Sequence, residues 1–227
     1  FSIRKVVLQM ENSLPKQVRK GKSQDHPYFD SYVCLDIETT ARPMNRIIEI
    51  GAVLVIRGRI EKVFTRLVNP GIHIPREIIQ LTGITDRMVT GRRNIWQILP
   101  ELKDFVGDYI IVGHDLVNND MKNLMSAGNA CGISFDNPVF DTLKFAREFM
   151  PGTCGLSHLT DLLCVPWDGR HRATNDARAN LEVFEKLKIL YYLLTREGIG
   201  LNEKEIAKVA RNPEKYVGIQ DKYRFSY

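Results

Sequence analysis

Short runs of apolar, often β-branched residues alternate with longer segments of helical periodicity along most of the chain. The first run, residues 32–37, has polar residues on both sides and predicts a buried strand. Two further runs, 47–57 and 60–68, flank an Arg-Gly-Arg turn and predict a hairpin. Single strands are predicted at 109–112 and 139–140, each between helical segments. This order predicts an α/β fold in which helices cover a mixed sheet.

Helices are predicted where apolar residues recur at every third or fourth position. The predicted helices cover about residues 75–81, 94–106, 119–130, 142–149, 156–163, 175–195 and 202–211. Asn94 is a candidate N-cap of the second helix, and Pro100 predicts a kink or a break within it. Asn202 followed by Glu205 is typical of a capping box at the start of the last helix.

The net charge of the chain is concentrated at its N-terminus. The 227 residues carry a formal charge of +5, and 44% are hydrophobic, which are ordinary globular values that exclude disorder and low complexity. Residues 1–28 hold +4 of this charge and predict a basic N-terminal arm. We expect one domain over residues 29–195, and a C-terminal helical extension over 196–227, where basic and aromatic residues are interleaved.

The cysteines and the hydropathy pattern bear on the environment of the protein. The four cysteines, none at a metal-binding spacing, are Cys34, Cys131, Cys154 and Cys164. Two of them lie inside apolar runs, and we expect buried, reduced thiols and therefore a cytoplasmic protein. No apolar run approaches the ~18 residues of a membrane span, so no membrane partner is expected.

Two carboxylates lie at the end of the first predicted strand. Asp36 and Glu38 are two residues apart, and side chains at that spacing on a strand point to the same side of the sheet. Such a pair repels itself unless a cation lies between the two groups, and hard divalent cations prefer oxygen ligands. Taken alone, the pair is also typical of a solvated strand end.

Two more polar clusters follow predicted strands or precede helices. His114, Asp115 and Asp120 come after the fourth strand, where α/β sheets place their ligands. His171 lies five residues before Asp176, which begins the longest predicted helix. A neutral histidine beside bound water can accept its proton. Taken alone, the first of these clusters is also typical of a first-turn carboxylate favoured by the helix dipole, and the second of a capping aspartate beside an unrelated surface histidine.

Taken together, the three clusters resemble the DEDDh (DnaQ-like) family of 3′–5′ exonucleases, over about residues 30–195. Asp-Ile-Glu-Thr-Thr at 36–40 is similar to the first motif of that family, and Val-Gly-His at 112–114 with Asp120 is similar to the second. His-x-Ala-x-x-Asp at 171–176 is similar to the third motif in its histidine form. Flanking segments that match the family are Ile-Glu-Ile-Gly-Ala at 48–52, Leu-Thr-Gly-Ile-Thr at 81–85, Phe-Asp-Thr-Leu at 140–143 and Leu-Ser-His-Leu at 156–159. The resemblance implies a ribonuclease H-like mixed β-sheet flanked by α-helices.

The resemblance also implies a two-metal hydrolase with two Mg²⁺ or Mn²⁺ ions. The implied metal ligands are Asp36, Glu38, Asp120 and Asp176, with Asp36 bridging both ions. His171 is the implied general base that deprotonates the attacking water. Attack at the terminal phosphodiester then releases nucleoside 5′-monophosphates from the 3′ end of a strand.

Substrate-binding residues are implied at matching positions near the first two motifs. Thr39 and Thr40 are expected to line the pocket of the terminal nucleotide, with their backbone amides available to it. Leu81 and Ile84 are candidates to stack on terminal bases, and ordinary packing is an equal alternative for both. His114 of the second motif is a further substrate-binding candidate.

The second motif departs from the family pattern by one residue. The family usually places its aspartate five positions after the motif histidine, whereas Asp120 lies six after His114 and Asn119 holds the expected position. We assign Asp120 because Leu124 follows it at the usual helical step, which requires a one-residue insertion in the loop. Asp115 is the alternative ligand, and an inactive site with Asn119 in place of the ligand is the third reading.

Three functions fit these residues. The first is proofreading or repair by a 3′–5′ exonuclease on single-stranded DNA, similar to the ε subunit or exonuclease domain of bacterial DNA polymerase III, with a polymerase subunit as a candidate partner. The second is RNA trimming of the ribonuclease T or oligoribonuclease kind. The third is an inactive relative that serves as a nucleic-acid-binding or docking module. The catalytic residues do not separate the first two, because only recognition of the 2′-hydroxyl distinguishes RNA from DNA.

Overall fold

A computed structural model gives the fold of most of the chain. The described residues are 29–40, 43–195, 198 and 200–216. The predicted basic arm, residues 1–28, and the end of the predicted C-terminal extension, residues 217–227, lie outside them. The described chain forms two compact units. The sheet unit consists of Asp30–Thr142 and Trp167–Leu181, and the helical unit consists of Leu143–Pro166, Phe29 and the described residues from Glu182 onwards.

The sheet unit is built on five strands in the order β3-β2-β1-β4-β5. The strands are β1 (Tyr32–Thr39), β2 (Ile47–Ile56), β3 (Arg59–Leu67), β4 (Ile110–Gly113) and β5 (Val139–Asp141). β1, β2 and β3 pair in antiparallel fashion, whereas β4 pairs parallel to β1 and β5 parallel to β4. The predicted mixed sheet is therefore confirmed, and the carboxyl ends of β1, β4 and β5 lie at one edge of it.

The β2–β3 hairpin closes with the two-residue turn that the sequence predicts. Arg57 and Gly58 have φ angles of 52° and 72°, so both central residues are left-handed, as a type I′ turn requires. The Gly58 N–H donates to Asp30 O at 2.7 Å, and the Arg57 N–H donates to Ser31 Oγ at 3.0 Å. These two bonds fix the turn to the start of β1.

Eight helices surround or follow the strands within the described residues. They are α1 (Arg76–Thr82), α2 (Asp86–Val89), α3 (Ile95–Val106), α4 (Asp120–Asn129), α5 (Thr142–Arg147), α6 (Leu156–Leu162), α7 (Ala173–Thr195) and α8 (Glu203–Arg211). A 3₁₀ turn at Pro213–Tyr216 follows. Seven of the eight were predicted, with ends within about two residues, a normal uncertainty for helix boundaries. α2 was not predicted, because a single turn is too short to show helical periodicity.

Helix α3 begins with the capping box that its sequence encodes. The Asn94 side chain accepts from Gln97 N, and the Gln97 side chain accepts from Asn94 N, both at 3.1 Å. The helix continues through Pro100, so the break considered above does not occur. At α8, Asn202 accepts from Glu205 N at 3.0 Å as predicted, but Glu205 itself pairs with Lys208 and does not complete a box.

The core of the sheet unit lies between the sheet and helices α3 and α4. Alternate residues of β1 face it, namely Val33, Leu35 and Ile37, which leaves Asp36 and Glu38 on the opposite face. The helices contribute Ile98, Leu99, Leu102, Val106, Met121 and Leu124. A smaller cluster of Ile48, Ile74, Ile84 and Val89 packs below α1 and α2. The start of α4, which carries Asp120, is thereby anchored through Met121 and Leu124.

The helical unit has its own aromatic cluster. Phe145, Phe149, Phe184 and Tyr191 pack with ring centroids 5.0–6.4 Å apart. The Lys186 ammonium donates to Leu163 O at 2.7 Å and to Ala210 O at 3.2 Å, which ties together the ends of α6 and α8.

Only two of the four cysteines are buried, so the expectation of buried thiols is confirmed for Cys34 and Cys154 and wrong for Cys131 and Cys164. All four are free, but Cys131 and Cys164 are exposed. Cys164 has a φ of 51°, and this left-handed turn after α6 directs its side chain out of the apolar run in which it lies. Across the parts of the chain described above, no helix is both long enough and apolar enough to cross a bilayer.

Candidate active site

Asp36 and Glu38 lie together at the carboxyl end of β1, on the face away from the α3–α4 core. Protein atoms crowd the Asp36 carboxyl and raise its pKa well above the usual value, mainly by removing water and then through the charges of Asp120 and Asp176. The pKa of Glu38 is raised to about 8, again mainly by loss of hydration and then by the charge of Asp176. The end of β1 therefore gathers acidic groups that oppose one another's ionisation.

Asp120 begins α4 and reaches directly to β1. Its Oδ1 accepts from the Ile37 N–H at 2.9 Å, and only 6% of the residue is exposed. β4 pairs with β1 only as far as Cys34, so the Ile37 N–H extends beyond the end of β4 and Asp120 supplies its acceptor. Burial raises the pKa of Asp120 to about 7, although the Ile37 hydrogen bond opposes this shift. This hydrogen bond thus holds the Asp120 carboxylate next to Ile37, the residue between Asp36 and Glu38.

The loop before α4 contains a wide turn. The Met121 N–H donates to Leu116 O at 2.9 Å, which spans five residues where an α-helical bond spans four. Asp115 has a φ of 54°, and its carboxylate accepts from the side-chain amides of Asn118 and Asn119, both at 2.8 Å. These bonds hold Asp115 and Asn119 to each other in the exposed part of the loop. The assignment of Asp120 stays a prediction, and this geometry favours it over both alternatives.

The third motif brings His171 and Asp176 to the same acidic cluster. Glu38, His171 and Asp176 each offer a ligand atom, and these atoms lie within 4.8 Å of one another. Asp176 lies in the first turns of α7 and is 7% exposed, and burial is the main reason that its pKa is raised. His171 has a φ of 60° in the loop just before this helix. The helix begins at Ala173, two residues earlier than predicted.

The donor set of this cluster fits a divalent metal. Four carboxylates are typical ligands of Mg²⁺ or Mn²⁺, which prefer oxygen, and the adjacent imidazole is a candidate proton acceptor. The carboxylates also raise one another's pKa in the absence of a cation, so a bound cation would remove an electrostatic cost that the fold carries. The cluster is therefore a candidate metal centre at the carboxyl end of β1.

Glu49 on β2 is a candidate supporting residue of this site for which the sequence predicts no role. It is 1% exposed and lies opposite Glu38 in the β1–β2 register. Its carboxylate accepts from Arg172 Nη2 at 2.6 Å and from the Ala173 N–H at 2.9 Å. The Ala173 N–H belongs to the first turn of α7, where a carboxylate is favoured. Glu49 thus holds the residues that directly follow His171, and the available signal was an acidic residue inside an otherwise apolar run.

The start of α7 also lies in direct contact with β2 and β3. A Cβ atom at Gly51 would lie 2.1 Å from Thr174 N, so only glycine permits this approach. The hydroxyls of Thr65 and Thr174 share a hydrogen bond of 2.7 Å. Together with Glu49, these contacts fix the helix that carries Asp176.

Trp167 is a second residue whose role was missed. Its indole N–H donates to Asp176 Oδ1 at 2.8 Å, and the Arg170 guanidinium lies 4.7 Å from the centroid of its ring. This hydrogen bond limits the rotation of the Asp176 carboxylate, as outer partners of metal ligands do. A tryptophan in the short loop before the third motif was the only signal in the sequence.

Two of the expected substrate-binding residues are not available to a substrate. Ile84 is fully buried among Ile48, Ile74 and Val89, so it packs in the core and does not stack on a base. Thr40 is 2% exposed, its hydroxyl accepts from Arg46 N, and its N–H donates to Arg46 O. The motif fixes the positions of these residues along the chain but not the directions of their side chains.

The other three expected substrate-binding residues remain candidates. Leu81 is 50% exposed at the end of α1. Thr39 is half-buried, and its hydroxyl donates to Asn45 Oδ1 at 2.9 Å. His114 is half-buried, and its Nδ1 lies 3.0 Å from Thr142 Oγ1, which in turn donates to Asn180 Oδ1.

Glu49→Gln is expected to lower kcat by about 10- to 100-fold with a smaller change in KM, because outer partners of metal ligands have effects of this size. Steady-state kinetics on a single-stranded oligonucleotide measures the change, and Glu61→Gln on the exposed part of β3 is the matched control. Adding Arg172→Gln should lower kcat little further, since both changes remove the same ion pair. Fully additive losses would contradict this role for Glu49.

Comparisons with known proteins identify relatives of the chain. A family model described as Exonuclease (RNase_T) matches residues 33–184. The DNA polymerase III subunit epsilon of Aquifex aeolicus is 37% identical over 193 residues, which cover 83% of this chain and 93% of that protein. The family-model match includes all three motifs of the candidate active site.

Solved structures show the same fold. The nuclease domain of 3′hExo, a DEDDh family member bound to rAMP, superposes with a TM-score of 0.62 at 21% identity, covering 73% of this chain and 94% of that domain. The zinc-bound complex of E. coli ExoI with ssDNA gives a TM-score of 0.62 at 17% identity, covering 75% of this chain and 42% of that one. The family model and the epsilon relative agree with the mixed sheet and its acidic cluster. The chain therefore belongs to the DEDDh (DnaQ-like) family of 3′–5′ exonucleases.

Proposed function

We propose that the protein removes nucleotides from the 3′ end of single-stranded DNA in a divalent-metal-dependent reaction that releases nucleoside 5′-monophosphates. The observation that carries this proposal is the convergence of Asp36, Glu38, Asp120 and Asp176 with His171 at the carboxyl end of β1. Without a cation, this cluster would repel the phosphodiester that it has to hydrolyse. The substrate and the metal are therefore expected to occupy the site together.

The four carboxylates would hold two Mg²⁺ or Mn²⁺ ions, which supply Lewis-acid stabilisation of the charge that develops on the phosphate. His171 is positioned to accept the proton of the attacking water, a role that contributes about 10²- to 10⁴-fold in rate. Glu49 and Arg172 hold the backbone on the C-terminal side of His171, and Trp167 holds the Asp176 carboxylate. These contacts keep the proton acceptor and the acidic groups in one arrangement before the substrate binds.

DNA is proposed as the substrate because the epsilon relative is a subunit of a DNA polymerase. The same relative suggests a DNA polymerase subunit as a partner and a role in proofreading or repair. RNA trimming is the alternative, and the rAMP bound to a structural neighbour keeps it open. An inactive docking module is less favoured, because every catalytic residue type of the family is present.

The test is an end-labelled assay on matched single-stranded DNA and RNA, each with a free or a blocked 3′ end. We expect a ladder of shortened DNA products from the free end only, complete loss with a chelator, and recovery on addition of Mg²⁺ or Mn²⁺. Faster degradation of RNA than of DNA would support the exoribonuclease alternative. No cleavage of either strand with Mn²⁺ would support the docking module.

Two further predictions concern the chain as a whole. The division into an arm over 1–28, an exonuclease domain over 29–195 and an extension over 196–227 stays a prediction. The cytoplasmic location also stays a prediction, and localisation of the tagged protein by fractionation is its direct measurement.

A further inference from the structure

A cleft with four arginines lies beside the candidate active site, within the sheet unit. Its volume is about 510 Å³, and its charged lining consists of Arg66, Arg92, Arg93, Arg172 and Glu49. We call this feature the arginine cleft. Nothing in the catalytic chemistry described above requires it.

The arginine cleft keeps a positive charge after its internal ion pairs are counted. Arg66 and Arg93 share one carboxylate, that of Glu101, and Arg172 pairs with Glu49. Four arginines against two glutamates leave a net charge of +2. Among the described residues Arg92 forms no ion pair, and its Nε–H donates only to Met88 O at 3.3 Å. The cleft can therefore take an anion without displacing every existing partner.

The arginine cleft adjoins the catalytic residues through two of its own members. Arg172 directly follows His171, and Glu49 lies opposite Glu38 in the β1–β2 register. A strand whose 3′ end reaches the acidic cluster would thus have a positively charged cleft next to it, on the β2–β3 side.

The chemistry of the cleft lining favours phosphate over base. None of its residues is aromatic, so it offers no platform for base stacking. Guanidinium groups bind phosphate through paired N–H donors at short distance. The volume lies within the range of pockets for single small molecules, about 300–1,000 Å³.

We propose that the arginine cleft binds backbone phosphates of the nucleotides that precede the 3′ end on the strand being cleaved. This proposal rests on the proposed exonuclease function. Phosphate contacts in the cleft would bind single strands of more than one nucleotide independently of their base sequence. Arginine substitutions should therefore affect long substrates and spare substrates too short to reach the cleft.

The test compares two substrates in the full chain. One is the nitrophenyl ester of thymidine 5′-monophosphate, which reaches only the metal site, and the other is a single-stranded DNA of about 12 nucleotides, within the site sizes of single-strand binders. For Arg92→Gln, the ratio of kcat/KM on the DNA to kcat/KM on the ester is expected to fall about tenfold, as for loss of one charge-assisted hydrogen bond. Adding Arg93→Gln should lower it further, and the slope of log KM against log salt should fall by about 0.7 per arginine.

Arg59→Gln is the matched control, because Arg59 is exposed and lies seven residues from Arg66 on β3, about 23 Å away at ~3.3 Å per residue. An unchanged ratio in the Arg92→Gln protein, or an equal fall in the Arg59→Gln protein, would overturn the proposal. So would a loss confined to duplexes with a recessed 3′ end, since that assigns the cleft to the complementary strand.

Failure of the exonuclease function itself would be visible separately. If the wild-type protein hydrolyses neither the ester nor the DNA, the proposed function is wrong. Fluorescence anisotropy of the labelled single strand, in Ca²⁺, then measures the cleft directly. Weaker binding of the strand by the Arg92→Gln protein would still support phosphate binding in the arginine cleft. Equal binding by the variant and the wild type would overturn it.

Discussion

Replacement of Asp36 by Asn is expected to lower kcat for 3′ trimming by at least about three orders of magnitude, a loss of several kcal/mol of transition-state stabilisation. Asp36 is the group on which the charges of Asp120, Asp176 and Glu38 converge, so it lies at the centre of the acidic cluster. Asn has nearly the same shape but a weaker affinity for a divalent cation. The loss should therefore come from the reaction and not from the fold.

A thermal melt separates these two causes. The raised pKa of Asp36 means that its ionised form opposes folding when no cation is bound, so the metal-free Asp36→Asn protein should melt no lower than the wild type. Asp104→Asn on the exposed side of α3 is the control and should retain full activity. Near-normal trimming by the Asp36→Asn protein would refute the two-metal assignment.

Asp120→Asn is expected to reduce activity by at least about 100-fold, whereas Asp115→Asn should change it by less than about threefold, as for an ordinary surface substitution. The difference follows from the loop geometry, in which Asp120 reaches the Ile37 N–H while Asp115 binds two neighbouring amides. Kinetics of the two variants under saturating Mn²⁺ measures the ranking.

The reverse ranking would show that Asp115 is the third carboxylate. Asn119→Asp adds an independent check, because it restores the family spacing to the motif. If Asn119 occupied the ligand position in an inactive protein, this change would raise activity. We expect no gain, since the Asn119 side chain is exposed and donates to Asp115.

Much of the fold was predictable because its signals are local. The strand at 32–37 and the Arg57-Gly58 turn follow from an apolar run and a turn sequence, and the structure confirms both. The three motifs were recognised by their order, and the structure brings their acidic groups together. The sequence shows the one-residue offset in the second motif. It does not show the wide turn, because the number of residues between two motif positions does not determine which backbone groups of the loop form hydrogen bonds.

The remaining features depend on contacts between distant residues. Glu49 meets Arg172 across 123 positions, and only the β1–β2 register and the approach of α7 to Gly51 bring them together. The indole of Trp167 could point in several directions from its loop. The interior position of Ile84 depends on the packing of α1 and α2 and not on the motif that contains it.

The wide turn before α4 has a consequence for how such sites tolerate changes in length. A residue added inside a helix rotates every later side chain by about 100° around the axis, since one turn holds 3.6 residues. With Asp120 as the ligand, the predicted additional residue falls before the first helical position, so Asp120 and the buried Leu124 keep their angular relation. A change of loop length at this point would therefore leave the carboxylate in place. A search pattern that fixes the His-to-Asp distance would overlook such proteins, whereas one anchored on the helix phase would find them.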